Sequence, residues 1–319
     1  MKTFPSEILA LVLQDVCKLD DDEFEFAHRF NSKPPISTTR TAALLVCRRW
    51  NCVARSPIYF TIILSTVTQA RCLGRTLSDQ PYLGNYVRKL LFNGGFGATA
   101  HRILQATPHI THLCLSLAIR SSDSTRGLCK AIQYIQPRSV RLNDSNNVHN
   151  NTHSRALVAA ICSCMKEKWV RLVEFRFPYD ILWAWKEKDD NQHHLLEAMY
   201  NAPFLNIVHM PAPYSPDALL PLLTKSSLSA IYSETPFGLI AGHHIRGTID
   251  QLPVQRLALC HKIHFPLPGP WGPTRPHETL QADSNNLKLM FRVVPPICNG
   301  FCSDSHYSVG ALVNFSVSN

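Results

Sequence analysis

The chain has 319 residues, a formal charge of +9, and 45% hydrophobic residues against 17% charged. That apolar content is ordinary for a globular core and excludes wholesale disorder. No stretch approaches the ~18 unbroken apolar residues of a membrane helix. The early run from Ile8 to Leu13 has neither a basic lead nor a small-residue cleavage site, so it makes a poor signal peptide. The expectation is a cytoplasmic and/or nuclear protein with no membrane partner.

The elements begin at Phe4-Pro5, where Pro suits a first helical turn and Glu7 suits its dipole. Ile8, Leu9, Val12, Leu13 and Val16 recur at helical spacing and form one apolar stripe. An acidic stretch follows, including Asp20-Asp21-Asp22-Glu23, and closes at Pro34-Pro35; it reads as a loop. Thr38 or Thr39 can cap a second helical run, with Ala42 to Val46 apolar and Cys47, Trp50, Val53 and Ala54 continuing the spacing until Pro57 stops it. So small a helical unit has too little core to stand alone and needs a neighbour or a partner.

These residues resemble the F-box family. The resemblance is carried by Phe4-Pro5-x-Glu7-Ile8-Leu9-x-x-Val12, then by Leu45-Val46-Cys47-Arg48-Arg49-Trp50-Asn51-x-Val53-Ala54, with the exit Ser56-Pro57-Ile58-Tyr59-Phe60. It covers about a fifth of the chain, and its most specific part is the Val-Cys-Arg-Arg-Trp block. Phe4 replaces the usual Leu, and the spacer between the helices is longer than in a standard F-box, as in the expanded F-box-like families of mushroom-forming fungi. The resemblance implies docking on the Skp-type adaptor of a cullin–RING (SCF-type) ubiquitin ligase. Phe4, Pro5, Ile8, Leu9 and Val12 would bury against that adaptor. Leu45, Val46, Trp50 and Val53 would complete the helical core and interface. Arg48, Arg49 and Arg55 would face its acidic surface.

The charge is uneven. Residues 1–30 carry three bases against seven acids, whereas residues 31–120 carry eleven bases and one acid, Asp79. A basic stretch beside an acidic one suits an acidic protein partner or a solvated face. The bases are spread singly, without the dense clusters of a nucleic-acid surface, so nucleic acid is not the expected partner.

From residue 81 to about 260 one pattern recurs: a helical segment, a Pro, then a strand-like run. Thr107-Pro108 leads to His112–Leu115, Gln136-Pro137 to Val140–Leu142, Ala202-Pro203 to Ile207-Val208, and Leu252-Pro253 to Leu257–Leu259. Runs at 87–92, 172–177 and 228–232 lack the Pro. Successive runs lie roughly 21–35 residues apart, within the range of leucine-rich repeats. The segments 98–106, 124–135, 154–165, 193–200 and 217–223 read as helices, with Ser154 and Ser215 or Asp217 as caps. The expected fold is α/β: a three-helix module over residues 1–60, an irregular leucine-rich-repeat-like solenoid over 61–263, and a Pro/Gly-rich linker with an irregular tail over 264–319. A doubly wound α/β domain has the same strand–helix grammar and is the alternative. A receptor of this kind would hold a target protein on its solenoid; the target itself is not readable.

Motifs that would carry chemistry are sparse. Gly95-Phe96-Gly97-Ala98-Thr99-Ala100 fits G-x-G-x-x-A after a strand, with Asp123 at about the distance of a ribose-binding acid. It supports an NAD(P)-binding enzyme as an alternative, but a lone fingerprint is weak and a repeat turn needing positive φ also explains it. Cys162 and Cys164 sit two apart on a helix and face apart, which is poor for a metal. Cys298, Cys302 and His306, with His261 or His264, have ligand types without the usual knuckle spacing. The adjacent pairs His193-His194 and His243-His244 read as surface residues. Acids in the turn 186–190 read as solvated. The eleven cysteines are odd in number and scattered, and read as small core residues rather than a disulfide framework. No catalytic residue, cofactor or metal is expected. A ubiquitin-independent repeat scaffold is the remaining alternative.

Overall fold

A computed structural model describes residues 5–19, 21, 24, 38–143, 151–177, 191–210, 222 and 227–233, and the backbone of strand residues 258–263, 283–284, 287–288 and 290–293. Two units arise from its contacts, Met1–Leu205 and Asn206–Asn319.

The first unit opens with helices. α1 spans Ser6–Cys17, α2 spans Thr38–Ala42 and passes into a 3₁₀ turn at Ala43–Leu45, and α3 spans Arg48–Phe60. Leu9, Leu13 and Cys17 of α1 pack on Ala43 and Ala54, with Leu44, Trp50, Val53 and Ile58 closing the cluster. Two expectations are corrected here. The second helical run is broken, because Cys47 adopts extended backbone (φ −164°, ψ 169°) and starts α3 afresh. Pro57 does not stop α3 but lies inside it. The missing proline N–H costs a helical bond, but Ile58 beyond it is held in the module's apolar cluster, and that packing keeps the last turn helical.

β1 (Thr61–Leu64) follows directly, and α4 (Val67–Asp79) after it; neither was expected from the sequence pattern. Thr66 caps α4 in a reciprocal box with Gln69. Then strands and helices alternate: β2 (Lys89–Phe92), α5 (Gly97–Ala106), β3 (His112–Ser116), α6 (Arg126–Ala131), β4 (Ser139–Asn143), α7 (Thr152–Glu167), β5 (Glu174–Arg176) and α8 (Asn191–Asn201). Each of the expected strands among these is present; the runs at 87–92 and 172–177 are shorter than expected, and those at 112–115 and 140–142 are longer. The cap of α7 is Asn151 rather than Ser154, which instead closes the capping box from the third helical position.

β1 to β5 pair in chain order, all parallel. The junctions repeat one device. The carbonyl of Arg88 accepts from the amides of Thr111 and His112, that of Thr111 from Arg138 and Ser139, and that of Arg138 from Val173 and Glu174, all at 2.8–3.1 Å. Each strand start thus anchors the next.

Chain order decides where the helices go. Parallel crossovers are right-handed, so a sheet that grows in one direction puts all its helices on one face. A doubly wound sheet reverses order at a switch point; the first unit keeps one direction throughout, and its consecutive helices α4 to α8 touch in sequence. Side-chain alternation then sorts the strands. Leu90, Phe92, Leu113, Leu115, Val140, Leu142 and Phe175 form the uniformly apolar face that suits the helices. Lys89, Leu91, His112, Cys114, Ser139, Arg141, Glu174 and Arg176 fall on the opposite face.

In the second unit, β6 (Ile207–Met210), β7 (Ala230–Ser233), β8 (Ala258–Ile263) and β11 (Met290–Val293) pair in parallel in that order. The short β9 (Asp283–Ser284) and β10 (Leu287–Lys288) pair antiparallel. The expected helix at 217–223 falls largely outside the described residues. The molecule is α/β with parallel strands. No helix among the described residues is long and apolar enough to cross a membrane.

Candidate functional site

The residues nominated for docking divide sharply. On α1, a rotation of 100° per residue sets Leu9, Leu13 and Cys17 on the flank turned into the module. Ile8, Leu11, Val12 and Val16 fall on the adjoining flank and are exposed. Leu45 is 85% exposed and Val46 58%, because the 3₁₀ turn that ends at Leu45, with Val46 as its C-cap, commits only Ala43 and Leu44 to the core. Pro5 and Arg48 are also exposed, while Trp50 and Val53 are half-buried against the core. Leu9 is spent inside the module, leaving it no surface for a partner. Phe4 lies outside the described residues. Leu11 and Val16 join the exposed flank, and the helical spacing of Val16 already showed in the sequence.

Two of the arginines work inside the molecule. Arg49 Nη2 donates to Ser6 Oγ at 2.9 Å, tying α3 to the start of α1. Arg55 Nε donates to Asn51 Oδ1 at 2.9 Å, and its Nη1 donates to the Tyr82 hydroxyl. Asn51 Nδ2 in turn donates to the Leu44 carbonyl at 2.9 Å, and Arg40 Nε to the Cys17 carbonyl at 2.8 Å. This lattice holds the exposed apolar residues in place without covering them.

The glycine loop between β2 and α5 is built differently from an open phosphate cradle. Phe96 (φ 49°) and Gly97 (φ 53°) both take left-handed backbone, which aims successive amides at one point. The Asp123 carboxylate fills that point, accepting from Gly95 N at 2.7 Å and Phe96 N at 3.1 Å. Gly97 N donates to the Ser124 carbonyl at 2.9 Å. The sequence nominated Asp123 as a sugar-binding acid; here it binds the loop itself. A Cβ at Gly95 would lie 2.6 Å from the Ser124 carbonyl oxygen, so the glycine serves close packing of neighbouring loops.

Cys162 and Cys164 are buried, and burial pushes both thiols up to about 12. A thiol held protonated is a poor metal ligand or nucleophile. Among the described residues no group of three His, Cys, Asp or Glu side chains could hold a metal ion. The side chains of Cys298, Cys302, His306, His261, His264 and the 186–190 acids lie outside the described residues, as do His243 and His244. His194 is exposed, as expected, 3.7 Å from Glu197.

No family model matches the chain. No curated protein matches it either.

Proposed function

We propose that the chain is a substrate receptor of a ubiquitin ligase, docking on a Skp-type adaptor through its N-terminal helices and presenting a target on a leucine-rich-repeat-like array. The observation that supports docking is the exposed apolar set Ile8, Leu11, Val12, Val16, Leu45 and Val46 on a module whose own core is already filled. Exposed apolar side chains grouped on one small module mark an interaction surface. Five of the F-box-like positions, Pro5, Ile8, Val12, Leu45 and Val46, fall on that surface. The array reading draws on the chain-ordered parallel strands and the repeated junctions. On this reading the chain itself does no chemistry; proximity of target and ligase does the work.

The test is co-purification of the full chain with a Skp-type adaptor, with and without Ile8→Asp plus Leu45→Asp. Both positions are exposed, so the variant keeps its core. Wild type should retain the adaptor and the variant should lose it. Equal recovery by both, or by neither, would sink the reading.

A further inference from the structure

Two helical residues after α1, Asp21 and Phe24, reach the sheet. Asp21 pairs with Lys89 on β2, and the Lys89 ammonium lies 6.0 Å from the centre of the Phe24 ring. Phe24 is 7% exposed and packs on Leu91 of β2 and Cys114 of β3, with Leu19 and Ile63 beside it. Ile63, Leu91 and Cys114 are register partners on adjacent strands, so one aromatic ring sits across three strands on the face opposite α4–α8.

Burial along the strands records the same event. In β4 and β5 every second residue is only half-buried over the first three positions, as a sheet covered on one face requires. In β2 all four residues are buried, and in β3 all after His112. The doubly covered patch coincides with Leu19 and Phe24.

The face changes character in register. Leu91 and Cys114 are followed by Arg141 and Arg176 at the same level. One level earlier lie Lys89 and His112. An apolar seat for one ring is therefore bordered by the cations Lys89, Arg141 and Arg176, with the Glu174 carboxylate 3.9 Å from Arg176. The chain's own occupant matches in sequence: Phe24 stands in Lys18-Leu-Asp-Asp-Asp-Glu-Phe-Glu-Phe26, with five carboxylates around it.

We propose that the face of β1–β3 opposite α4–α8 is a docking surface for short acidic–aromatic peptides, with a carboxylate three residues before an aromatic ring, and that Leu19, Asp21 and Phe24 occupy it internally until such a peptide displaces them. Charge complementarity supplies rate and register, and burial of the ring on Leu91 and Cys114 supplies the apolar contribution. This names a ligand class for the array, yet it stands without the adaptor.

The experiment is fluorescence anisotropy with a labelled synthetic peptide of residues 18–26, added to the full chain without adaptor. A site blocked by its own segment most of the time binds an external peptide with affinity reduced by the open fraction. Asp21→Asn plus Phe24→Ala should bind about tenfold tighter than wild type, on that same arithmetic. Adding Lys89→Glu should abolish the binding, as should Phe→Ala in the peptide at the position of Phe24. The single Asp21→Asn chain keeps the ring in place and should fall between wild type and the double variant; it carries the test should the double variant misfold. Peptide affinity equal in wild type and the emptied variants, or insensitive to Lys89→Glu, would overturn the proposal. Loss of adaptor binding with peptide binding intact would count only against the docking reading.

Discussion

The Asp123 carboxylate and the Gly95 amide meet at 2.7 Å across two consecutive strand–helix loops. The same carboxylate takes the Phe96 amide at 3.1 Å, so one acid holds a bulky residue in left-handed backbone. Gly95 and Phe96 are buried, and water does not readily replace the partner. Asp123→Ala should cost about 2–3 kcal/mol, the range for losing charge-assisted bonds to buried donors. Asp123→Asn keeps an acceptor and should cost roughly half as much. Urea titration followed by circular dichroism reads both; an unchanged midpoint in the alanine variant would show that the amides do not depend on Asp123.

Gly127 and Gly97 separate two reasons for a glycine. A Cβ on Gly127 would lie 2.0 Å from the Gly97 carbonyl oxygen, with backbone on both sides of the clash. Gly127→Ala should destabilise by about 3 kcal/mol, at the upper end for overpacking. At Gly97 a Cβ meets nothing within 4 Å, and only its φ of 53° resists substitution. Gly97→Ala should cost about 1 kcal/mol. Thermal melts should rank the two in that order; the reverse order would contradict the close approach of α6 to the glycine loop.

Burial, and then the Lys89 ammonium, hold His112 below its ordinary value of 6.5. Glu174 and Asp21 pull the other way, and Arg138 adds to the depression. The folded chain therefore binds this proton less readily than the unfolded chain. Its contribution to stability is fully present above the ordinary value and is lost as pH falls below it toward the lower folded value. Wild type should lose melting temperature between about pH 7.5 and about pH 5.5, and His112→Gln should lose less over that window. Parallel profiles for the two chains would remove His112 as the cause.

Thiol chemistry should follow the fold. Cys47, Cys52 and Cys72 are exposed, whereas Cys17, Cys114, Cys162 and Cys164 are buried. With Cys162 and Cys164 pushed up to about 12, their thiolate fraction near neutral pH is very small. Brief labelling of the native chain with a maleimide, read by peptide mass spectrometry, should modify the first three and spare the other four. Early modification of Cys114 would mean that the Phe24 cover opens readily.

Much of the strand–helix alternation was legible because its signals are local. His112–Leu115 and Val140–Leu142 are apolar runs led by a Pro, and both became strands. The pattern also carried Thr66-x-x-Gln69, a capping-box spacing that marks α4, but the helix behind it has a broken apolar stripe and went unread. Pro57 misled for the opposite reason. Its local penalty is real, and packing of Ile58 outweighs it.

The docking residues were legible in type but not in placement. Ile8 and Leu9 are adjacent and chemically alike. Only the packing of α1 on α3 turns Leu9 inward and leaves Ile8 exposed. The resemblance turns Arg49 and Arg55 toward an acidic adaptor, whereas their hydrogen bonds run to Ser6 and to Asn51 and Tyr82. Phe24 gave no signal at all, standing in an acidic run that reads as a loop; in the structure it is helical and buried.

By itself the sequence determined the alternation of strands and helices and the unevenness of charge, because period and composition are properties of neighbours along the chain. The tertiary structure alone decided that Asp123 fills the glycine loop and that Asp21 reaches Lys89, 68 residues further on. Such contacts depend on where the sheet brings distant segments, and that position is set by burial summed over many residues rather than by any motif.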